Sequence, residues 1–372
     1  MIRNLADLYI EPDVLESNRI SIKSVRSATI NEWDKIWREC NYSTFFHSVE
    51  WAEIWSKYTR GKMILAPSLV LFSDGKKALL PFSCLRRNGL VPVFLGTAKQ
   101  YISSPERTYG GWISSDNIYH NHAVLLLNLI RKKFANLVWR VNPYDEVALQ
   151  VISNYDFDET HVINLEREFD KIAKDFSKGH KTAVKQAIRG GVSVRLASSP
   201  KDWLDYYKAY ETSVHRWGKR LLGVKYSWDL FQEISRRSSP NIELWLAIHE
   251  NRIISGALCF HSKRHFVYWH GASIESYFNL RPVNLLLYEV IRSACENGYT
   301  WFDFNPSGGL KGVRAFKERF GAKALKCPII RQEPINIRTF AVGKVSDKIM
   351  QIKKRMSCTV SSSLFKRLIR ND

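Results

Sequence analysis

Apolar positions recur at helical spacing in two early stretches of the chain. From Asn31 to Cys40, Trp33, Ile36 and Trp37 share one face, which predicts a capped amphipathic helix. From Val49 to Tyr58 the residues Trp51, Ile54, Trp55 and Tyr58 repeat the pattern and predict a second. Strands are predicted from Leu69 to Phe72 and from Ala78 to Cys84, around Ser73-Asp74-Gly75-Lys76, whose Asp-Gly pair suits a hairpin. Further strands are expected from Val91 to Leu95, Gly111 to Ile113 and Leu137 to Val141, with a helix from His122 to Phe134.

Between Asp156 and Glu168 the chain crosses into a second half. A helix from Phe176 to Ile188 stops at Gly190-Gly191 and is followed by a short strand from Val192 to Leu196. Two aromatic-rich helices follow, from Trp203 to Trp217 and from Trp228 to Arg236. Three strands are then predicted, from Ile242 to Ile248, Ile253 to Phe260 and His265 to His270, joined by turns short enough only for antiparallel hairpins. A helix from Pro282 to Glu296 opens on proline and stops at Asn297-Gly298. A strand from Thr300 to Phe304, the turn Pro306-Ser307-Gly308-Gly309 and a helix from about Gly312 to Arg319 close on Phe320-Gly321-Ala322. The order is β-β-β-α-β-α, and the crossover helix makes the third and fourth strands parallel neighbours in an otherwise antiparallel sheet.

The expected fold class is therefore α/β (α+β), each half a mixed, mostly antiparallel sheet flanked by helices. The 372 residues suit two domains. They are divided as a lead-in over 1–20, a first domain over 21–160, a second over 161–334 and a basic tail over 335–372. A hydrophobic fraction of 45% supplies packed cores and excludes a disordered chain.

Charge narrows the partners. With 56 Lys+Arg against 36 Asp+Glu, the net charge of +20 favours polyanions: nucleic acid, anionic lipid, phosphorylated carriers or CoA. Lys181, Lys185 and Arg189 recur along one face of the Phe176–Ile188 helix, either as a rail for an anionic substrate or as a solvated face. The tail carries Lys344, Lys348, Lys353, Lys354 and Arg355 among apolar residues, as either a helix at a membrane surface or one packed on the body. The 6 cysteines form no C-x-x-C pair and read as free thiols in a reducing compartment, with no metal site. Met1 to Pro12 lacks the apolar core of a signal peptide, and no apolar run approaches the roughly 20 residues of a membrane helix. A cytoplasmic protein is expected, peripheral to the inner membrane face if the tail binds there.

The element order, ending in Phe316-Lys317-Glu318-Arg319-Phe320-Gly321-Ala322, resembles the core of the GNAT (acyl-CoA N-acyltransferase) superfamily. Phe45-Phe46-His47-Ser48-Val49-Glu50-Trp51, the basic segment Lys178 to Arg195, Tyr268-Trp269-His270-Gly271-Ala272 and Phe302-Asp303-Phe304 bring it closer to the FemAB-like, or BioF2-like, acyltransferases. Those are two tandem GNAT-like domains. The resemblance covers about Ser21 to Ile330. It implies an N-acyltransferase, acetyltransferase-like, moving an acyl group from acyl-CoA to the amine of an amino sugar, amino acid or cell-envelope precursor. No permanently bound cofactor is implied. An alternative in the same fold is an aminoacyl-tRNA-dependent ligase extending cell-wall precursor peptides, with tRNA as partner; the long helical arm of several such enzymes is absent between Arg189 and Trp203. A non-catalytic polyanion- or membrane-binding protein is a third reading, resting on charge alone. Oligomeric state is left open.

The resemblance also nominates residues. The donor's carbonyl would lie where the parallel strands part, with a backbone amide near His270, Gly271 and Ala272 facing the developing oxyanion. A phosphate would meet Arg281 and the helix start that follows. Lys317 would hold a carbonyl or an anionic leaving group beside Phe316. Arg216 stands where the family binds substrate. His270 is a proton acceptor or a hydrogen-bonded strand histidine; Asp303 is a base or a buried acceptor. Tyr268 and Trp269 point to opposite faces of their strand, and Asn305 and Ser307 sit at a strand end suited to polar ligand contacts. Two departures stand out. Tyr277 to Pro282 lacks the glycines of the usual pyrophosphate loop, and Phe316-Lys317 replaces the tyrosine that many GNAT enzymes use as an acid.

Overall fold

The computed structural model describes residues 20–86, 99–134, 136–152, 156–217 and 225–332. The strand expected from Val91 to Leu95, nearly all of the 1–20 lead-in and the tail over 335–372 lie outside the described residues.

The first half opens with β1 (Ile22–Ser27), α1 (Ile30–Glu39) and α2 (Val49–Tyr58). Thr29 and Glu32 close a capping box at the start of α1, and Ser48 caps α2. Strands β2 (Met63–Leu65), β3 (Ser68–Phe72), β4 (Lys77–Leu80), β5 (Ser83–Arg86), β6 (Lys99–Ile102) and β7 (Tyr109–Gly110) follow, then α3 (His120–Lys133), β8 (Leu137–Val141) and α4 (Glu146–Val151). The single strand expected from Ala78 to Cys84 is broken at Pro81, which has no N–H for a ladder. Its two parts belong to different sheets: β4 joins the small sheet β1-β3-β4, and β5 joins the large one. Gly111 to Ile113 is no strand; it makes a single bridge between Ile113 and Leu79.

The second half runs through β9 (Phe157–Asn164), α5 (Phe169–Lys174), α6 (Lys178–Arg189), β10 (Ser193–Leu196), α7 (Pro200–Trp217) and α8 (Trp228–Arg236). It continues with β11 (Ile242–His249), β12 (Arg252–His261), β13 (His265–Ser273), α9 (Pro282–Glu296), β14 (Trp301–Asp303), α10 (Lys311–Glu318) and β15 (Lys323–Gln332). The helix expected from Phe176 is α6, which starts two residues later at Lys178 because the Ser177 side chain caps it there.

The large sheet has the order β10-β11-β12-β13-β14-β9-β15-β8-β6-β5-β2, with β7 also paired to β8. As expected, β13 and β14 are parallel. Two strands that the sequence pattern did not show occupy its centre. β9 pairs with β14 on one side and β15 on the other, and β15 pairs first with β9 and then with β8. Pro328 sits at that change-over, where a missing N–H costs least. Residues 160 and 161, at which the sequence divides, thus lie inside β9.

One face of β11 to β13 is covered by α7 and α8, the other by α6 and α9. Gly256 admits α7 closely: a Cβ there would lie 2.5 Å from the Tyr206 ring. The halves share a core in which Phe45 stacks on Phe260 at 4.7 Å and Trp51 meets Trp269 edge-on at 5.4 Å. Arg237, just past the end of α8, reaches Glu53 of α2 at 2.7 Å. Among the described residues no helix is long and apolar enough to cross a membrane. Cys40, Cys84, Cys259, Cys295 and Cys327 are free thiols.

Candidate functional site

Strands β13 and β14 pair over only three positions, His265 with Trp301, Phe266 with Phe302 and Val267 with Asp303. Then they part. β13 continues for six residues to Ser273, whereas β14 stops at Asp303. The stop has a local cause. The Asp303 carboxylate accepts the Asn305 backbone N–H at 2.7 Å, and Asn305 takes a left-handed φ of 61°. The Asn305 carbonyl then accepts the Lys317 ammonium at 2.6 Å. Asn305 is gripped through both its N–H and its carbonyl, and the chain is turned away from its neighbour.

Across the gap, the Ile274 amide bonds the Ile254 carbonyl of β12. By the alternation of an antiparallel ladder, the Ala272 and His270 amides also face β12, and the Gly271 amide faces the gap. A bulge opposite Leu258 and Cys259 inserts Trp269 as the extra residue. It brings Trp269 and His270 to the α7 side together, while Tyr268 packs on the α9 side. Tyr268 lies across Gly271, and a Cβ at Gly271 would overlap its hydroxyl. Gly271→Ala is accordingly expected to cost about 1–3 kcal/mol in urea denaturation, and most of that loss should vanish in a Tyr268→Ala background. An equal loss in both backgrounds would sink this account of the glycine.

The groups at the strand end are buried. Asp303 is wholly inaccessible and accepts hydrogen bonds from Thr160 at 2.5 Å and Tyr144 at 2.8 Å. Burial pushes its carboxyl upward while these donors pull it back. Lys317 is 5% exposed, and burial pushes its ammonium down to about 8 against the opposing charges of Asp303 and Asp158. One of its three N–H donors goes to Asn305. The Ser307 hydroxyl, two residues further on, is buried without a partner among the described residues.

His270 belongs to a different setting. Its Nδ1 lies 2.6 Å from the Tyr206 hydroxyl, inside a ring of Tyr206, Tyr210, Tyr226 and Phe231. Desolvation there pushes it down to about 3, so at neutral pH the imidazole is uncharged and takes up a proton poorly. Arg216 donates to the Ser273 carbonyl at 3.2 Å and lies 4.8 Å over the Phe278 ring, so it reaches the loop after β13. Arg281 is exposed, with a left-handed φ of 57°, at the residue that opens α9.

The nominated residues therefore fall into three places. Asp303, Asn305, Ser307 and Lys317 gather at the end of β14. Tyr268, Trp269, His270, Gly271 and Ala272 line β13, with Arg216 and Arg281 beyond its end. Lys181 and Lys185 stand apart on the exposed face of α6, where Lys181 donates to the Lys174 carbonyl. Phe316 packs against His180, whose ring meets the Phe316 carbonyl at 3.1 Å. Tyr206, Tyr144 and Thr160 escaped the sequence reading. Each is a single polar residue in a helix, loop or strand, with no local pattern pointing to a partner 64, 159 or 143 positions away.

With the parted strands in view, comparison with known proteins gives the class. Residues 174–318 match the family model of the acetyltransferase (GNAT) domain. No curated protein matches the sequence. The structure is similar to the crystal structure of FemX, with TM-score 0.64 at 14% identity, covering 86% of this chain and 99% of that one. It is also similar to a conserved protein of unknown function from Bacteroides thetaiotaomicron, with TM-score 0.50 at 10% identity, covering 83% and 100%. Residues 174–318 therefore form a GNAT domain. The likeness to FemX is one of fold and extends beyond that domain to both halves of the chain, as the sequence resemblance led us to expect.

Proposed function

We propose that this protein is an N-acyltransferase that moves an acyl group from acyl-CoA to the amine of an amino sugar, amino acid or cell-envelope precursor. The observation that carries the reading is the parting of β13 from β14, with the Gly271 amide turned toward the gap by ladder alternation and the Lys317 ammonium bonded to Asn305 just past the end of β14. An acyl thioester laid in that gap would place its carbonyl oxygen toward the Gly271 N–H. As the amine attacks, negative charge builds on that oxygen and the amide stabilises it. The C–N bond forms and the C–S bond breaks. The departing thiolate is the conjugate base of a thiol of pKa about 8.5, close to the value of about 8 at Lys317, so proton transfer from the ammonium is nearly balanced. The proton shed by the amine returns to Lys317 through solvent, and the sum is amide plus free thiol. His270, uncharged and bonded to Tyr206, orients rather than accepts a proton. Arg281 and the start of α9 would meet the donor's phosphates, in a loop built without the usual glycines.

The test is to incubate the purified protein with a panel of acyl-CoAs and amines and follow thiol release. Release dependent on both partners is the expected outcome. Absence of CoA binding by calorimetry, together with no release from any pair, would remove the proposal.

A further inference from the structure

The carboxylate at the end of β14 belongs to the second half of the chain, yet half of its environment comes from the first. Tyr144 follows β8, and its hydroxyl donates to Asp303 at 2.8 Å. Its ring is held between His265, at 4.1 Å, and Trp301, at 5.9 Å. Thr160 of β9 donates to the other carboxylate oxygen at 2.5 Å, and the same oxygen receives the Asn305 amide. The Tyr109 hydroxyl of β7, fully buried and without a hydrogen-bond partner among the described residues, also helps to hold down the pKa of the same carboxyl. Beyond Asp303, the Asn305 peptide passes the arrangement to Lys317.

We propose that Tyr144 is a positioning residue of the transfer site: its hydroxyl fixes Asp303, and through Asp303 the Asn305 turn and the Lys317 ammonium. The first half of the chain thus completes the site in the second. A purely structural tyrosine would contribute packing through its ring, and Phe would replace it. A positioning tyrosine acts through its hydroxyl, and the loss must be felt at Lys317.

The sign follows from the charges around Lys317. Asp303 of β14 and Asp158 of β9 favour its charged form. Arg140 of β8 neutralises Asp158 at 2.8 Å, and His161 of β9 lies beside Lys317 with its Nε2 3.6 Å from the Glu318 carboxylate. On its own helix, Glu318 and Arg314 pair with each other at 2.9 Å. Cys327 of β15 stays a neutral thiol, since burial and Asp303 push it up. Asp303 is therefore the anion that most supports the ammonium. Without the Tyr144 or Thr160 donor the carboxylate is no longer held in place, the Asn305 turn that it anchors loosens, and the Lys317 ammonium, less closely held to its anion, should lose its proton at lower pH.

This inference rests on reading Lys317 as a site group, but its readout is the amine itself and needs no acyl transfer. Site-resolved labelling of Lys317 by acetic anhydride, followed by mass spectrometry across pH 6 to 10, gives the midpoint at which the amine becomes reactive. For Tyr144→Phe the midpoint is expected to fall by about half a pH unit, with roughly three-fold faster labelling below it. Thr160→Val should move it the same way, and it decides the matter should Tyr144→Phe fail to fold. A midpoint unchanged in either folded variant, while Asp303→Asn shifts it, overturns the proposal. A shift in an enzyme that shows no transfer leaves the positioning intact and removes only the functional reading.

Discussion

Between pH 6.5 and 4.5 the protein is expected to lose several kcal/mol of stability, well before its exposed carboxylates titrate. His47 and His265 are wholly buried, and desolvation pushes them down to about 4 and about 3; His270, in its aromatic ring, is pushed to about 3. In the unfolded chain all three titrate near 6.5. Below that pH the unfolded chain binds three protons that the folded one refuses, so stability falls with falling pH. Asp145 acts the other way. Burial pushes it up to about 7, so between its ordinary value and 7 the folded chain holds a proton the unfolded one lacks. Among these four groups, three against one contributes a slope of roughly 2–3 kcal/mol per pH unit near pH 5, which the upward shifts of Asp303, Glu50 and Glu289 reduce in part. Calorimetric Tm should drop steeply from pH 7 to 5, and His265→Gln should flatten the drop. A Tm constant over that interval would show that these imidazoles are protonated in the fold.

Replacing Lys317 with methionine is expected to slow thiol release by about 100-fold or more, in kcat rather than KM, because the ammonium acts on charge that develops only as the thioester breaks. The methionine keeps the volume of the stem and loses the donor to Asn305, so a modest stability loss of about 1–2 kcal/mol accompanies it. The pH profile separates acid from mere anchor. If Lys317 must be protonated, the wild-type rate falls above about pH 8, where its ammonium titrates, and that limb disappears in Lys317→Met. A variant that is less stable but retains the wild-type kcat and the basic limb would reduce Lys317 to a pin for the turn at Asn305.

Much of the fold was legible where punctuation and periodicity agree. α2, α8 and α9 run over the residues that helical spacing, Pro282 and Asn297-Gly298 delimit. The hairpins β11, β12 and β13 were legible for the same reason, although the sequence stopped β13 at His270 and the strand runs on to Ser273. The centre of the sheet was not legible. β15 has exposed residues over Lys323-Ala324 and Lys326 and carries Pro328, and β9 opens on an exposed Phe157, so neither shows the apolar alternation of an interior strand. Their place is set by neighbours distant in sequence. The site divides the same way. Lys317, Asp303 and Asn305 fall within one short stretch, so a linear reading can find them. Their partners are Thr160 of β9 and Tyr144 after β8, and only the assembled sheet brings them there.

β15 also imposes an order on the birth of the molecule. Its first six residues pair with β9 and its last four with β8, so two interior strands wait for the last described residues to emerge from the ribosome. Until then the nascent chain carries two unsheltered backbone edges, each able to capture a foreign strand. A chain ending before Lys323 should therefore collect in inclusion bodies rather than persist as a shortened soluble product, and slow, late closure is the folding behaviour this topology demands.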